Sequence, residues 1–217
     1  MNDTLGAQVL AHLRAQLITG LLAPGDKLSL RPLALQFGVS MQPVRDAVAR
    51  LVAERALEVT PKRSVQVPLM RLAQFRELTA IRLGIEGFAA EHAARQRGGA
   101  ERAALRRHEA AFRRQSQRRV PDIDAAIVAN ANLHFAIYRG AGMPALVAII
   151  EGLWLRIGPV LNLDMRGGPG RLASHPPNPI FHAHLRKATQ RPASSRISGS
   201  HKAAEPQPKR GIMKHEG

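Results

Sequence analysis

Three small sets of side chains in this 217-residue chain are of a type and spacing that could do chemistry. The first is Gln42 and Arg45, which point outward with Asp46 and Ala49 from a segment whose Val44, Ala47, Val48 and Leu51 recur at helical spacing. An amide and a guanidinium on the polar side of a short helix are suited to the base edges and phosphates of a nucleic-acid groove. The second set is Lys62 and Arg63. They lie in Pro61-Lys62-Arg63-Ser64, between Leu57-Glu58-Val59 and Val65-Gln66-Val67, two runs that alternate at the period of a strand. This predicts a short hairpin with two cations at its tip. The third set is Asn130 and His134, one turn apart on a stripe with Ile123, Ile127 and Ile137. A polar pair on an apolar stripe needs partners inside, because an unpaired buried polar group costs about 1–3 kcal/mol. A divalent metal is one such partner, and a hydrogen bond between helices is the other. No carboxylate shares that face to act as a general base and no nucleophile motif is present, so a metallohydrolase is the weakest reading. There are no cysteines, which excludes disulfides, thiolate metal sites and cysteine nucleophiles.

The elements that must position these groups are legible in turn. Ser29 is placed to cap a helix carrying Leu30, Leu33, Ala34 and Phe37, and Gly38 follows where a left-handed cap is wanted. Ser40 is placed to cap the next helix, and Pro43 falls in its first turn, where a missing N–H is harmless. Two helices, a glycine-bearing turn and a polar outer face on the second predict a helix-turn-helix, with an ordinary helical hairpin as the alternative. The second helix is expected to run on to about Ala56. Ahead of it, a helix opening at Asp3 or Thr4 groups Leu10, Leu13 and Leu17, with Val9 and Ile18 beside them, and ends at Gly20. Leu21–Leu28 reads as a turn segment around Pro24-Gly25-Asp26. A basic-tipped hairpin directly after a helix-turn-helix is the wing of a winged helix.

Four helices are predicted downstream. The first, 71–97, carries Phe75, Leu78, Ile81, Ile85, Phe88, Ala89 and His92 on one stripe, flanked by Arg82 and Glu86, and Gly98-Gly99 breaks it. The second, about 101–118, has Arg102, Arg106, Arg107, Arg113 and Arg114 outside and Ala104, His108, Ala111 and Phe112 inside. The third, about 122–139, holds Asn130 and His134. The fourth starts at Pro144 with Leu146, Ile149, Ile150, Leu153 and Ile157, and Gly158-Pro159 is expected to kink or end it. After Asp164 the periodicity stops. Seven of the 15 prolines fall beyond it, and such a composition predicts a disordered tail.

A net charge of +16 points to a polyanionic partner, but residues 166–217 hold ten Lys or Arg against two acids and so account for half of it. The core must rest on aliphatic residues, since only 4% of the chain is aromatic. The N-terminus lacks the pattern of a signal peptide and no apolar run approaches about 20 residues, so a cytoplasmic protein with no membrane partner is expected.

Residues 5–67 resemble the winged helix-turn-helix of the GntR family of bacterial transcription regulators. The resemblance is carried by PGDKL, LALQFGVS, PVRDAVARL and the V-x-V wing strand. It implies that Arg31, Ser40, Met41, Gln42 and Arg45 meet phosphates and bases of an operator, with Lys62 and Arg63 in a minor-groove wing. Met41, Arg55 and Ser64 depart from the family pattern. A thioether makes no bidentate base contact, and Ser64 is expected to stiffen the wing where glycine is usual. ELTAIRLGIEGFAAEHAA (77–94) and NANLHFAIYRGAGMPALVAIIEGLW (130–154) are similar to the all-helical FCD effector domain. That resemblance implies a homodimer, a small carboxylate effector with Arg82 as its candidate counter-charge, and an ancestral divalent metal site, zinc or similar, at Asn130 and His134. Two more histidines should complete the site, yet His175, His182 and His184 lie on no recognisable helix, so metal is expected to be weak or absent in this chain. The expected organisation is a mainly α protein: a winged helix-turn-helix over 1–69, an incomplete helical-bundle effector domain over 70–164, and a basic Pro/Ser-rich tail over 165–217. Its expected function is an operator-binding, non-enzymatic transcription regulator. The alternative is a basic, weakly specific DNA-binding protein that has lost its sensor.

Overall fold

Helix α1 (Leu5–Ile18) is shared by both halves of the molecule. It buries Val9, Leu13 and Leu17 completely, whereas Leu10 is only half-buried, so its inward line is the i, i+4, i+8 series starting at Val9. The computed structural model describes residues 5–96, 98–116 and 118–166; the predicted tail lies outside the described residues.

Helices α2 (Leu30–Phe37) and α3 (Met41–Ala53) form the expected helix-turn-helix. Gly38 takes the left-handed conformation (φ 60°, ψ 34°), and the N–H groups of Gly38 and Val39 close α2 on the Leu35 and Ala34 carbonyls. Ser29 and Ser40 stand at the N-caps in extended backbone, but neither hydroxyl makes the expected capping bond. Helix α3 stops at Ala53 and does not reach Ala56. Arg55 turns left-handed (φ 58°), and the N–H groups of Ala56 and Leu57 fold back onto the Leu51 carbonyl at 2.9 and 3.2 Å.

The wing pairs β2 (Glu58–Val59) with β3 (Val65–Gln66), as the alternation predicts. A further strand, β1 (Lys27–Leu28), pairs antiparallel with β3 and gives the order β1-β3-β2. Two residues carry no readable period, which is why the sequence shows only a turn there. At the tip the Arg63 N–H donates to the Thr60 carbonyl at 2.8 Å, and Arg63 itself takes the left-handed φ of 59°. The expected strain at Ser64 is therefore one residue misplaced. Ser64 instead bonds the Thr60 hydroxyl at 2.8 Å.

The helical half comprises α4 (Leu72–Gln96), α5 (Gly99–Ser116), α6 (Ile123–Arg139) and α7 (Pro144–Arg166). Asp122 caps α6 by accepting from the Ala125 N–H. Helix α4 is rotated from the expected stripe. It buries Leu78, Arg82, Glu86, Ala89, Ala90 and Ala93, while Ile81 and Phe88 are nearly half exposed. An ion pair whose charges cancel, together with alanines that permit close approach, has displaced two large apolar residues from the interior. Ile149 of α7 is likewise exposed, against expectation. Helix α7 also runs unbroken through Gly158-Pro159. Over Pro144–Leu163 it is long and apolar enough to cross a membrane by length and composition alone, although Glu151 and Arg156 interrupt the apolar run. It serves as a core helix, with Ile150, Leu155 and Ile157 fully buried.

Where α7 meets α1, a Cβ on Gly158 would lie 2.6 Å from the Leu17 carbonyl and 2.7 Å from that of Ile18. Asn162 bonds the Ile18 and Gly158 carbonyls through its amide, both at 3.0 Å. Leu155 joins the N-terminal core of Val9, Leu13, Leu17, Val44, Leu51 and Leu57, and Ile18 packs against both cores. Arg14 of α1 grips Glu54 at the end of α3 and Glu151 of α7, each at 2.5–2.6 Å. Gly158→Ala is expected to destabilise the protein by about 1–3 kcal/mol, the usual effect of overpacking. A Cβ on Gly84 of α4 would meet nothing within 4 Å. Gly84→Ala should therefore raise stability by about 0.5–1 kcal/mol through helix propensity alone. Urea denaturation of the two variants checks both signs.

Candidate nucleic-acid interface and the buried polar network

The outward face of α3 carries Gln42, Arg45, Asp46 and Ala49, all exposed. Gln42 donates to Asp46 at 2.8 Å across one turn, which holds its amide along the helix. Among the described residues Arg45 has no ion-pair partner, so its five donors are available to an incoming acceptor. Arg31 in the first turn of α2 and Ser40 at the start of α3 are exposed beside it. Lys62 and Arg63 are exposed at the wing tip, where the hairpin turn holds the Arg63 backbone. Met41 is the exception. It is half-buried and packs on the N-terminal core, so its thioether contributes to that packing. The six remaining groups supply a fork for base edges and a set of cations for phosphates.

In the helical half the candidate ligands are placed differently. His134 is buried, and its Nδ1 lies 2.9 Å from the Tyr138 hydroxyl one turn on. That hydroxyl donates to Glu86 at 2.7 Å, and the Trp154 indole N–H donates to the same carboxylate at 3.0 Å. Arg82, also buried, donates to Glu86 through Nε at 2.5 Å and through its terminal nitrogen at 3.3 Å. Its guanidinium lies 4.7 Å from the Trp154 ring centroid, in cation–π range. One carboxylate on α4 thus collects donors from α4, α6 and α7. Asn130 is half-buried on α6, one turn before His134.

The sequence places Arg82 beside Glu86 at i, i+4, as the structure has them, but its spacing gives no sign that Tyr138 and Trp154 join Glu86 or that Tyr138 partners His134. The available signal was compositional, because the chain has one tyrosine and one tryptophan and both are in this cluster. His134 takes a hydrogen bond within α6, to Tyr138, and it is the Tyr138 hydroxyl that crosses between helices to Glu86 of α4. Among the described residues no three His, Cys, Asp or Glu groups could hold a metal ion. Asn130 and His134 by themselves do not fit the divalent site implied by the family resemblance; His175, His182 and His184 lie outside the described residues.

A helix with a free outward guanidinium, a cationic wing beside it and a helical domain fused behind define a winged-helix transcription regulator. The chain belongs to the GntR family: residues 5–67 match the bacterial regulatory proteins of that family, and residues 77–186 match the FCD domain. It is 35% identical over 173 residues to the HTH-type transcriptional regulator McbR of Escherichia coli K12, covering 79% of this chain and 77% of that protein. It is 36% identical over 96 residues to the HTH-type transcriptional repressor RspR of the same organism, covering 43% of this chain and 42% of that one. The solved structure of E. coli McbR/YncC superposes with a TM-score of 0.73 at 30% identity, covering 87% of this chain and 94% of its own. A putative GntR regulator from Rhodococcus sp. RHA1, at 18% identity, shares the fold with a TM-score of 0.62 and 86% and 95% coverage. These relatives are regulators and not enzymes, and GntR regulators bind DNA operators and usually act as dimers.

Burial, reinforced by the Glu86 charge and hydrogen bond, raises the Tyr138 pKa well above the ordinary value of 10.0. A raised folded-state pKa means that this contribution to stability is complete below about pH 10 and lost as pH rises through the raised value. Tyr138→Phe should lower stability at neutral pH by about 1–3 kcal/mol, since His134 and Glu86 each lose a partner. It should also flatten the fall in stability above pH 10. Denaturant unfolding across that range measures both effects.

Proposed function

We propose that the chain is a cytoplasmic repressor that binds a pseudo-palindromic operator as a homodimer and responds to a small carboxylate through its helical domain. The observation that carries the DNA half is the unpaired Arg45 on the exposed face of α3, together with the exposed Lys62 and Arg63 at the tip of the wing. One winged helix reads only a few base pairs, so specificity calls for two of them about one helical turn of DNA apart. The exposed Ile81 and Phe88 of α4 and Ile149 of α7 support a dimer through the helical domain. RspR's name as a repressor supports the direction of control. For the effector, Arg82 offers a counter-charge once Glu86 gives it up. The engagement of Arg82 by Glu86, and of His134 by Tyr138, also favours a second reading, a DNA-binding protein whose sensor no longer responds.

Arg45→Ala should cost about 1–3 kcal/mol in binding to an operator mapped by footprinting upstream of the gene. Equal affinity of the two proteins would remove α3 from the interface. Arg63→Gly has opposite expected effects on fold and binding. It should add about 1 kcal/mol of stability by relieving the left-handed arginine, yet weaken binding to all sequences and reduce the salt slope by about one. Zinc titration by calorimetry should show weak binding. Tight one-to-one binding abolished in His134→Ala would restore the metal site. Sedimentation at tens of micromolar tests the dimer, and a monomer would count against it.

A further inference from the structure

The reading of this chain as an operator-binding regulator leaves a cavity among the described residues unused. It is a cleft of about 460 Å³ between the wing and the helical half, within the usual range for small-ligand pockets. One wall is the end of α3 and strand β2, with Arg55, Glu58 and Val59; the other is α4 and α7, with Leu78 and Arg156; the segment joining the domains adds Leu69. Val59 and Leu69 are 56% and 71% exposed at its edge, large apolar side chains that face water while the cleft is open. Arg55 and Arg156 come from different domains, and among the described residues neither is in an ion pair. The one acid in the lining, Glu58, already accepts from the Gln66 amide at 2.7 Å. Arg55 also occupies a left-handed backbone position (φ 58°) where glycine would be at ease, so a guanidinium stands at this cleft despite local conformational preference.

We infer that this cleft is a binding site for an amphipathic anion: a carboxylate or similar head between Arg55 and Arg156, with a short apolar chain against Val59, Leu69 and Leu78. Two cations against the one acid of the lining, Glu58, leave a positive excess beside an apolar wall, which matches a ligand with one charged end and one greasy end. The site is separate from Arg82 and stands whether or not the helical domain senses a small acid. Because Arg55 lies two residues past the end of α3 and Val59 belongs to the wing, an occupant would hold the DNA-reading elements against α4 and α7.

Octanoate serves as the probe, with octanol as the same chain lacking the charge. Calorimetric titration of the full chain should show one octanoate bound per chain and octanol at least about tenfold weaker, a difference of about 1.4 kcal/mol. Binding should weaken when salt is raised from about 0.1 to about 0.5 M. Arg55→Gly and Arg156→Gln should each reduce the affinity for octanoate about tenfold. Arg55→Gly introduces the residue that suits that backbone, so its thermal midpoint should equal or exceed that of the unsubstituted chain. No saturable binding, equal affinity for octanol, or unchanged affinity in either variant would overturn the assignment. Octanoate binding that disappears as the chain self-associates would give the cleft to a second copy, and would equally overturn it.

Discussion

Where α7 crosses α1, two helix backbones come to a separation that only a residue without a side chain allows. Gly158 faces the last carbonyls of α1, Gly20 faces Asn162, and the Asn162 amide spans the gap with two hydrogen bonds. The contact has consequences in both directions along the chain. It carries Leu155 into the N-terminal core and keeps Ile18 in contact with both cores. It also brings Glu151 within reach of Arg14, whose other hydrogen bonds go to Glu54 at the end of α3. The helix that presents Arg45 is therefore tied to the helical half through α1. The polypeptide between the halves is not the only connection. A winged helix can be hung from a flexible linker, but here it is set against its neighbour by backbone-level fit.

Much of this was legible, and the failures have a common physical cause. Local signals survived well: Gly38 closing α2, the alternation that forms the wing, and the Gly98-Gly99 break between α4 and α5 all depend on neighbours in sequence. Signals that depend on what lies opposite did not. Of the apolar stripe expected inside α4, Leu78 and Ala89 are buried, but Ile81 and Phe88 are not, and the helix turns Arg82 and Glu86 inward. Nothing in α4 alone announces that Tyr138 and Trp154 will be waiting to satisfy a carboxylate. Pro159 was read by its local habit, helix breaking. The structure keeps it because Gly158 and Asn162 must share one continuous helix to reach α1. The positive φ in the wing was expected at Ser64, but the turn closes on Thr60 and puts it at Arg63.

The buried cluster in the helical domain raises a question of energetics. Replacing a buried ion pair with apolar residues is often neutral or stabilising, so Arg82 and Glu86 are not explained by stability alone. What distinguishes them is the completeness of their pairing. Glu86 accepts from Arg82, Tyr138 and Trp154, and Tyr138 passes the network on to His134. A network with its partners in place favours one arrangement of α4, α6 and α7 over the many that apolar contacts would tolerate. The same completeness means that any ligand reaching Arg82 must first compete with a carboxylate already in place.

Helix α5 stands apart from all of this. None of its described side chains is fully buried, its outer face is crowded with arginines, and it packs chiefly on α6. Packing seen in space has a counterpart in time, because an element with little buried apolar surface opens far more often than the whole protein unfolds. Amide hydrogens of α5 are then expected to be the first of the helical domain to exchange with solvent, with those of α1 and α7 released only on global unfolding. Burial thus divides the molecule into a spine that runs toward the DNA-reading helix and a thinly buried layer on the far side of α6.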